Sequence, residues 1–515
     1  MAKTPSDKLF RLVKALTPAE KRYFKLYIKG KSERDSKYLR LFEAICTMQE
    51  FDEEALRKKI YKNQQLESQK YSELKAYLYE LILRCLQQYD EQNALDYRLN
   101  HLLQSVAALY KRGHYDDCKD LLNKANRLAK QYESFTHLID IIRWEKQLAY
   151  AQMDADFFHR ELDRLQFEEN RALELLDNAA AYRRAFFAVY ATVKREALLT
   201  SEERIQKLRS LLEQDLFADP NRALSHKARV MYYRAINLYH YSALDQEAFY
   251  ESGKKLIELL ESQPHFLKES LSEYIAALSN YILSCGLLQR YEEVRESLAK
   301  LRQVQPITVD DQQKIHRQYY TSYFVLCIYT GEFEAAKAEM RRCQEEADRL
   351  HLLNYETASF YFQYCCISFG CGEYSDALDH LNTWLGQPRT VEREDLQSLA
   401  RILSLIIHFE LGNSVLLESL LRSATRFMQK KNRLFNLERR FMLLISELMR
   451  AANPSEEMQA FTSIQTDLEI LSHEPTAKAL LQTFDLAAWL ESKIRKKPFA
   501  AVVQEKFQMQ AANSQ

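Results

Sequence analysis

Gly331-Glu-Phe333-Glu-Ala-Ala336, followed seven residues on by Cys343, is the stretch that decides the fold. A turn glycine comes first, an aromatic follows two residues on, and a small residue stands five on. The pattern returns as Gly113-His-Tyr115-Asp-Asp-Cys118 with Ala125, and as Gly372-Glu-Tyr374-Ser-Asp-Ala377 with Trp384. Gly412 keeps the same offsets with Leu417 and Ala424. Weaker copies read Met153-Asp-Ala-Asp-Phe157, Leu244-Asp-Gln-Glu-Ala-Phe249 and Gln289-Arg-Tyr291-Glu-Glu-Val294. Glycine ends the first helix of a pair in the left-handed conformation that other residues disfavour. The aromatic plugs the cleft between the two helices, and the small residue lets their backbones approach. Turns are therefore predicted near 113, 153, 198, 244, 289, 331, 372, 412 and 453, about 40 to 47 residues apart.

The rest of the chain agrees with helix pairs. Only 9 Gly and 9 Pro occur in 515 residues, where an ordinary chain carries roughly 7% and 5%. That scarcity excludes a fold rich in hairpins, Rossmann turns or phosphate loops. Residues Leu74, Leu78, Leu81, Ile82, Cys85 and Leu86 recur at spacings of three and four, which builds one apolar helix face. Thr17-Pro-Ala-Glu20, Asn453-Pro-Ser-Glu456 and Thr200-Ser-Glu-Glu203 carry helix-start chemistry. No stretch alternates with period two, so almost no strand is expected. The fold class is all-α. An α-solenoid of about nine antiparallel helix pairs is expected over 96–475, between an N-terminal helical bundle (1–95) and C-terminal capping helices with a tail (476–515).

The turn and the start of the second helix resemble the helix-turn-helix unit of the tetratricopeptide family. The family period of 34 residues is shorter than the spacing here. Its closing proline is missing, and its small mid-helix residue is replaced by Val106, Phe324 and Leu405, though Cys365 is small. Leu16-Thr-Pro-Ala-Glu-Lys-Arg-Tyr-Phe-Lys-Leu26 and Trp489-Leu-Glu-Ser-Lys-Ile-Arg-Lys-Lys-Pro-Phe499 also resemble segments of bacterial tetratricopeptide-like proteins with no assigned activity. The resemblance implies a partner-binding inner wall 13, 10, 6 and 3 positions before each turn. Here that set includes Arg234, Leu238, Tyr241, Gln318, Thr321, Val325, Phe362 and Phe369. The aromatic pairs Phe186-Phe187, Tyr232-Tyr233, Tyr319-Tyr320 and Phe360-Tyr361, with Tyr190, Tyr281, Tyr323 and Tyr364, are read mainly as packing between successive helices. Phe499, Val502, Val503 and Phe507 form a short apolar stripe that could fill a groove in cis.

Charge is balanced overall at 72 basic and 72 acidic residues, which excludes a globally basic nucleic-acid coat. Residues 1–75 are an exception, with 18 Lys+Arg against 11 Asp+Glu. Lys21, Arg22, Lys25, Lys29, Arg57, Lys58 and Lys59 are the candidate nucleic-acid contacts, if this segment is more than a polar cap.

There is no P-loop, no G-x-G-x-x-G, no H-E-x-x-H and no C-x-x-C. Cys365, Cys366 and Cys371 are read as core rather than as metal ligands, because adjacent helical cysteines point about 100° apart. A Cys–His pair formed only in space stays open. No cofactor and no metal is expected. The leading expectation is a non-enzymatic scaffold that binds a peptide or partner protein. The alternative is a transcriptional regulator with a DNA-binding bundle and a sensing repeat region. A phosphatase-like effector is the third. No apolar run reaches the roughly 20 residues of a membrane span, and nine thiols inside helical stripes fit a reducing, cytoplasmic setting.

Overall fold

The structure is a computed structural model that describes residues 7–29, 37–49, 51–61, 68–90, 95–195, 201–213, 215–350, 354–386, 394–430, 436–471 and 483–513. Among these residues there is no strand. The helices are α1 (Lys8–Ala15), α2 (Pro18–Lys29), α3 (Lys37–Thr47), α4 (Glu53–Tyr61), α5 (Ser68–Asp90), α6 (Leu95–Tyr110), α7 (Tyr115–Gln131), α8 (Phe135–Ala151), α9 (Ala155–Arg195), α10 (Ser201–Leu212), α11 (His226–Ser242), α12 (Gln246–Glu261), α13 (Pro264–Glu269) and α14 (Leu271–Leu287). They continue as α15 (Tyr291–Gln303), α16 (Val309–Thr330), α17 (Phe333–Arg349), α18 (Asn354–Gly370), α19 (Tyr374–Leu385), α20 (Glu394–Glu410), α21 (Ser414–Lys430), α22 (Asn436–Arg450), α23 (Pro454–Leu471), α24 (Leu486–Arg495) and α25 (Phe499–Asn513). Internal contacts divide the chain into two compact units. One is Met1–Ser284 with Gln305–Asp311, the other Cys285–Val304 with Gln312–Gln515.

One backbone device recurs at the turns. Gly113, Met153, Leu244, Gln289, Gly331, Gly372 and Gly412 all have positive φ, between 51° and 78°. After each, the next N–H reaches back to a carbonyl five residues earlier. Examples are His114 N to Leu109 O (3.2 Å), Asp245 N to His240 O (3.1 Å), Glu332 N to Cys327 O (2.9 Å) and Asn413 N to His408 O (3.0 Å). This is the Schellman cap, which satisfies the carbonyls a helix leaves open at its end. The turn expected near 198 lies outside the described residues, as does Thr200 of the third helix-start motif. At 453 the chain uses the predicted capping chemistry: Glu456 N donates to Asn453 Oδ1 at 3.0 Å. Thr17 does the same for α2, with Glu20 N on Thr17 Oγ1 at 3.2 Å and Thr17 N on Glu20 Oε2 at 2.6 Å.

Within most hairpins the buried seam keeps its register. Seven residues before the turns stand Val106, Asn237, Ile282, Phe324, Cys365 and Leu405, all buried, whereas on α8 the place falls to the half-buried Lys146. Five residues after the turns, Cys118, Phe249, Val294, Ala336, Ala377 and Leu417 are buried too. Helices pack neighbour to neighbour in each unit, through α6–α7–α8–α9 in the first and α17–α18–α19–α20 in the second.

Helix α9 departs from the expected pairing. It runs unbroken for 41 residues where a loop between two hairpins was expected. Its middle, Leu173-Glu-Leu-Leu-Asp-Asn-Ala-Ala-Ala-Tyr182, holds no Gly or Pro and three consecutive alanines, so nothing stops the helix. The first half of α9 meets α8, where Lys146 pairs with Glu169 at 2.6 Å. The second half meets α11, with the rings of Tyr182 and Tyr232 6.1 Å apart.

The N-terminal helices close on their own core of Val13, Phe24, Leu41, Phe42, Ile45, Leu56, Leu78 and Ile82. The apolar face read over Leu74 to Leu86 lies on α5.

Candidate functional site

Two faces of a first helix have different fates. The seam face is buried, as above. The face carrying positions 10, 6 and 3 before the turn is the one that could meet a partner, and α11 shows it best in the first unit. Arg234 and Leu238 are half-buried, and Tyr241 is 45% exposed. Arg234 lies between neighbours on either side. Its guanidinium sits 4.3 Å over the Phe186 ring of α9 and pairs with Glu273 of α14 at 2.7 Å. Arginine's planar fork suits both contacts at once. Tyr241 leans on Phe249 across the turn, with ring centroids 5.3 Å apart, and leaves its phenol outward. At the position of Leu238, α14 presents Leu283, 43% exposed. On α8, Tyr150 takes the place of Tyr241 and is also exposed. This surface therefore offers aromatic and aliphatic groups beside a fixed cation.

The second unit treats the equivalent residues differently. On α16, Gln318 and Thr321 are half-buried, and Val325 is 39% exposed. Phe362 and Phe369 are not on an open wall, which corrects the expectation for both. Phe362 is buried edge-on against Trp384 at 5.4 Å. Phe369 is 1% exposed, with Tyr374, Phe484 and Phe499 each within 5.3 Å, centroid to centroid. For Phe369 the reason is that the chain's own C-terminal segment covers that end of the hairpin, and for Phe362 it is the neighbouring α19.

Most register-locked aromatics pack as read. Phe186, Tyr232, Tyr320, Phe360 and Tyr364 are buried. Phe187 and Tyr190 are exceptions, both exposed on α9.

The sequence reading missed a polar knot. Asn237 occupies the seam position that is apolar in the hairpins turning at 113, 289, 331, 372 and 412. Its Nδ2 donates to Phe249 O at 2.9 Å and to Ser252 Oγ at 3.1 Å, and its Oδ1 accepts from Asn280 at 3.4 Å. A Cβ at Gly253 would stand 3.3 Å from Asn237 Nδ2, so this glycine marks close approach. An asparagine in the seam register opposite a glycine was the available signal.

The structure does bring one Cys–His pair together. Cys343 Sγ lies 3.8 Å from His316 Nε2, both buried. Nε2–H donates to the Cys343 carbonyl at 3.0 Å, so that nitrogen is no base for the thiol. Burial pushes the thiol up to about 12 and lowers the histidine. Both groups are neutral near pH 7, and the pair carries no thiolate nucleophile. Cys365 and Cys366 lie in the apolar core of the second unit, and among the described residues no cluster of His, Cys, Asp and Glu could hold a metal ion.

The basic candidates sit on separate helices. Lys21, Arg22 and Lys25 are on α2, where Lys25 pairs with Glu43 at 3.4 Å. Lys14, Lys21 and Lys25 surround Cys46 closely enough to act on its thiol, whose pKa burial nonetheless raises. On α4, Arg57 lies 5.8 Å from the Tyr71 ring centroid, while Lys58 and Lys59 are exposed in the last turn. The side chain of Lys29 lies outside the described residues.

No family model matches the chain, and no curated protein matches it. Among the described residues no helix is long and apolar enough to cross a membrane.

Proposed function

We propose that the chain is a non-enzymatic, tetratricopeptide-like interaction scaffold: an α-solenoid of about nine helix pairs behind an N-terminal bundle, working in the cytoplasm. It binds a peptide or a partner helix on the first-helix face of its first unit. One observation carries the reading. The seam register of α11 and α14 is buried, while α8, α11 and α14 turn Tyr150, Tyr241 and Leu283 to solvent at other registers. Amphipathic aromatics beside an anchored arginine are the side chains that dominate binding energy at interfaces.

The test is affinity capture from the native cell with wild type and with the pair Leu238→Ser, Tyr241→Ala. A partner retained by wild type and lost by the pair, at unchanged melting temperature, supports the proposal. A partner retained equally by both refutes it.

A second reading, a regulator that contacts DNA, draws on α2, where Lys21 and Arg22 make no ion pair among the described residues. Phosphate contacts release counterions, so retention of the full chain on DNA would weaken steeply with salt. Absence of retention at low salt removes that reading.

A further inference from the structure

Helices α24 and α25 lie against the turn ends of the second unit, and they are held in different ways. Helix α24 is anchored. Trp489 Nε1 donates to Glu410 Oε1 at 2.6 Å, Lys493 pairs with Glu410 Oε2 at 2.5 Å, and the indole lies 5.8 Å from Phe461 and 6.3 Å from Phe409. After α24 the chain passes through Lys496, a non-glycine residue at φ 51°, and Pro498 stands just before α25, its carbonyl accepting from Val502 N.

Helix α25 then crosses three successive turns. Phe499 packs 5.3 Å from Phe369, just before the turn at 372, and 5.6 Å from Phe333, just after the turn at 331. Gln504 Nε2 donates to the Gly331 carbonyl at 2.9 Å. Phe507 meets Tyr291, just after the turn at 289, at 5.2 Å. Val502 and Val503 are buried between these contacts. The order of turns met is the reverse of chain order. A Cβ on Gly331 would stand 2.7 Å from Gln504 Cγ and 3.3 Å from Ala500 O, so the groove is built to let this helix come close.

Of the apolar clusters beneath, one closes without α25, while Phe499, Val502 and Val503 belong to the larger core with Cys365, Ala377, Leu405 and Leu417. Tyr320, Phe324, Cys327, Ala336, Cys343, Phe360 and Tyr364 form one buried cluster that includes no residue of α25. The polar links of α25 are few. Glu505 bridges Arg495 and Lys497 within its own hairpin, and Lys506 pairs with Asp485 at 2.6 Å. Three residues, Lys496 to Pro498, connect α25 to α24.

We propose that α25 is a removable latch on a helix-binding groove formed by the turns at 289, 331 and 372, and that the groove's partner is an amphipathic helix with the register of α25. That register is an aromatic, two aliphatics three and four residues on, an amide five on and an aromatic eight on. The groove reads it as helix-in-groove recognition does, through apolar anchors on one face. This inference stands apart from the surface on the first unit.

The test uses full-length protein and a labelled synthetic peptide of residues 497–513. In wild type, native-state hydrogen exchange should release the amides of α25 at least roughly tenfold faster than those of α18, by local opening. The variant Val502→Asp, Val503→Asp should keep its helical signal and bind the peptide saturably. Wild type should bind it at least about tenfold more weakly, because only its open fraction is competent. A peptide bearing the same two aspartates should fail on both. Exchange of α25 only together with α18 would overturn the proposal. So would a folded variant that ignores the peptide, or a variant in which the second unit no longer folds.

Discussion

Replacing the turn glycines by alanine separates the cost of backbone conformation from the cost of contact. Gly113, Gly372 and Gly412 have φ of 76°, 78° and 70°, and nothing lies within 4 Å of a Cβ built on any of them. Alanine there meets only the left-handed penalty, about 1–2 kcal/mol. Gly331 has the same φ of 76°, but its Cβ would fall 2.7 Å from Gln504 Cγ and 3.1 Å from the Gln504 backbone nitrogen. Helix α25 must then shift. Overpacking adds about 1–3 kcal/mol, and loss of the Gln504–Gly331 hydrogen bond about 1 kcal/mol more. Gly331→Ala should therefore cost about 3 kcal/mol or more, against about 1–2 for Gly372→Ala. Of the three tryptophans, Trp144 lies in the first unit and Trp384 and Trp489 in the second. In a Trp144→Phe background, urea unfolding followed by fluorescence reads the second unit alone. The excess at Gly331 should vanish when Val502→Asp, Val503→Asp is added, since the two sites then no longer couple. Equal costs at 331 and 372 would show that α25 does not rest on that turn, and the reasoning would fall.

Met153→Gly, Leu244→Gly and Gln289→Gly should each stabilise by up to about 1 kcal/mol, read as a higher urea midpoint at unchanged slope, because glycine relieves a positive φ. Phe369→Ala should cost about 3–5 kcal/mol in the second unit, as a buried aromatic and not a binding residue does. Asn237→Ala should cost about 2–3 kcal/mol in the first unit by unpairing the polar knot, and Trp144 fluorescence would register it. Burial holds His316, His226, His240 and His408 below the ordinary 6.5. Below pH 6.5 the unfolded chain takes up protons that the folded chain refuses. Stability is thus full above that pH and falls on acidification, and His316→Gln should shallow the slope in a pH series of urea midpoints.

The turns were legible because a left-handed residue has a chemical signature. Seven of the predicted turns have positive φ among the described residues; four use glycine, and the other three, Met153, Leu244 and Gln289, were found by spacing from them. Unbroken α9 was not foreseen, since a repeat register predicts where a loop should fall and says nothing of whether a breaker is there. The aromatic seam was legible by period. Which aromatics stay outside was not: Phe187 and Phe186 are adjacent in sequence, and only the neighbouring helix decides between them. Phe369 was misplaced for a longer-range reason, whereas Phe362 is met by Trp384 of the next helix. The cover of Phe369, Phe499 with Phe484, comes from residues more than a hundred positions away, and the apolar stripe of α25 carries no mark of where it docks.

The first-helix face of the first unit is tested most directly by a photo-crosslinking amino acid placed at Leu238, at Tyr241 and, as an exposed control, at Val415. Irradiated in the native cell, the first two positions should each yield one adduct of the same discrete mass, and position 415 should not. Adducts from 415 alone, or none from 238 and 241 while a partner co-purifies, would contradict the assignment of this face as the binding surface.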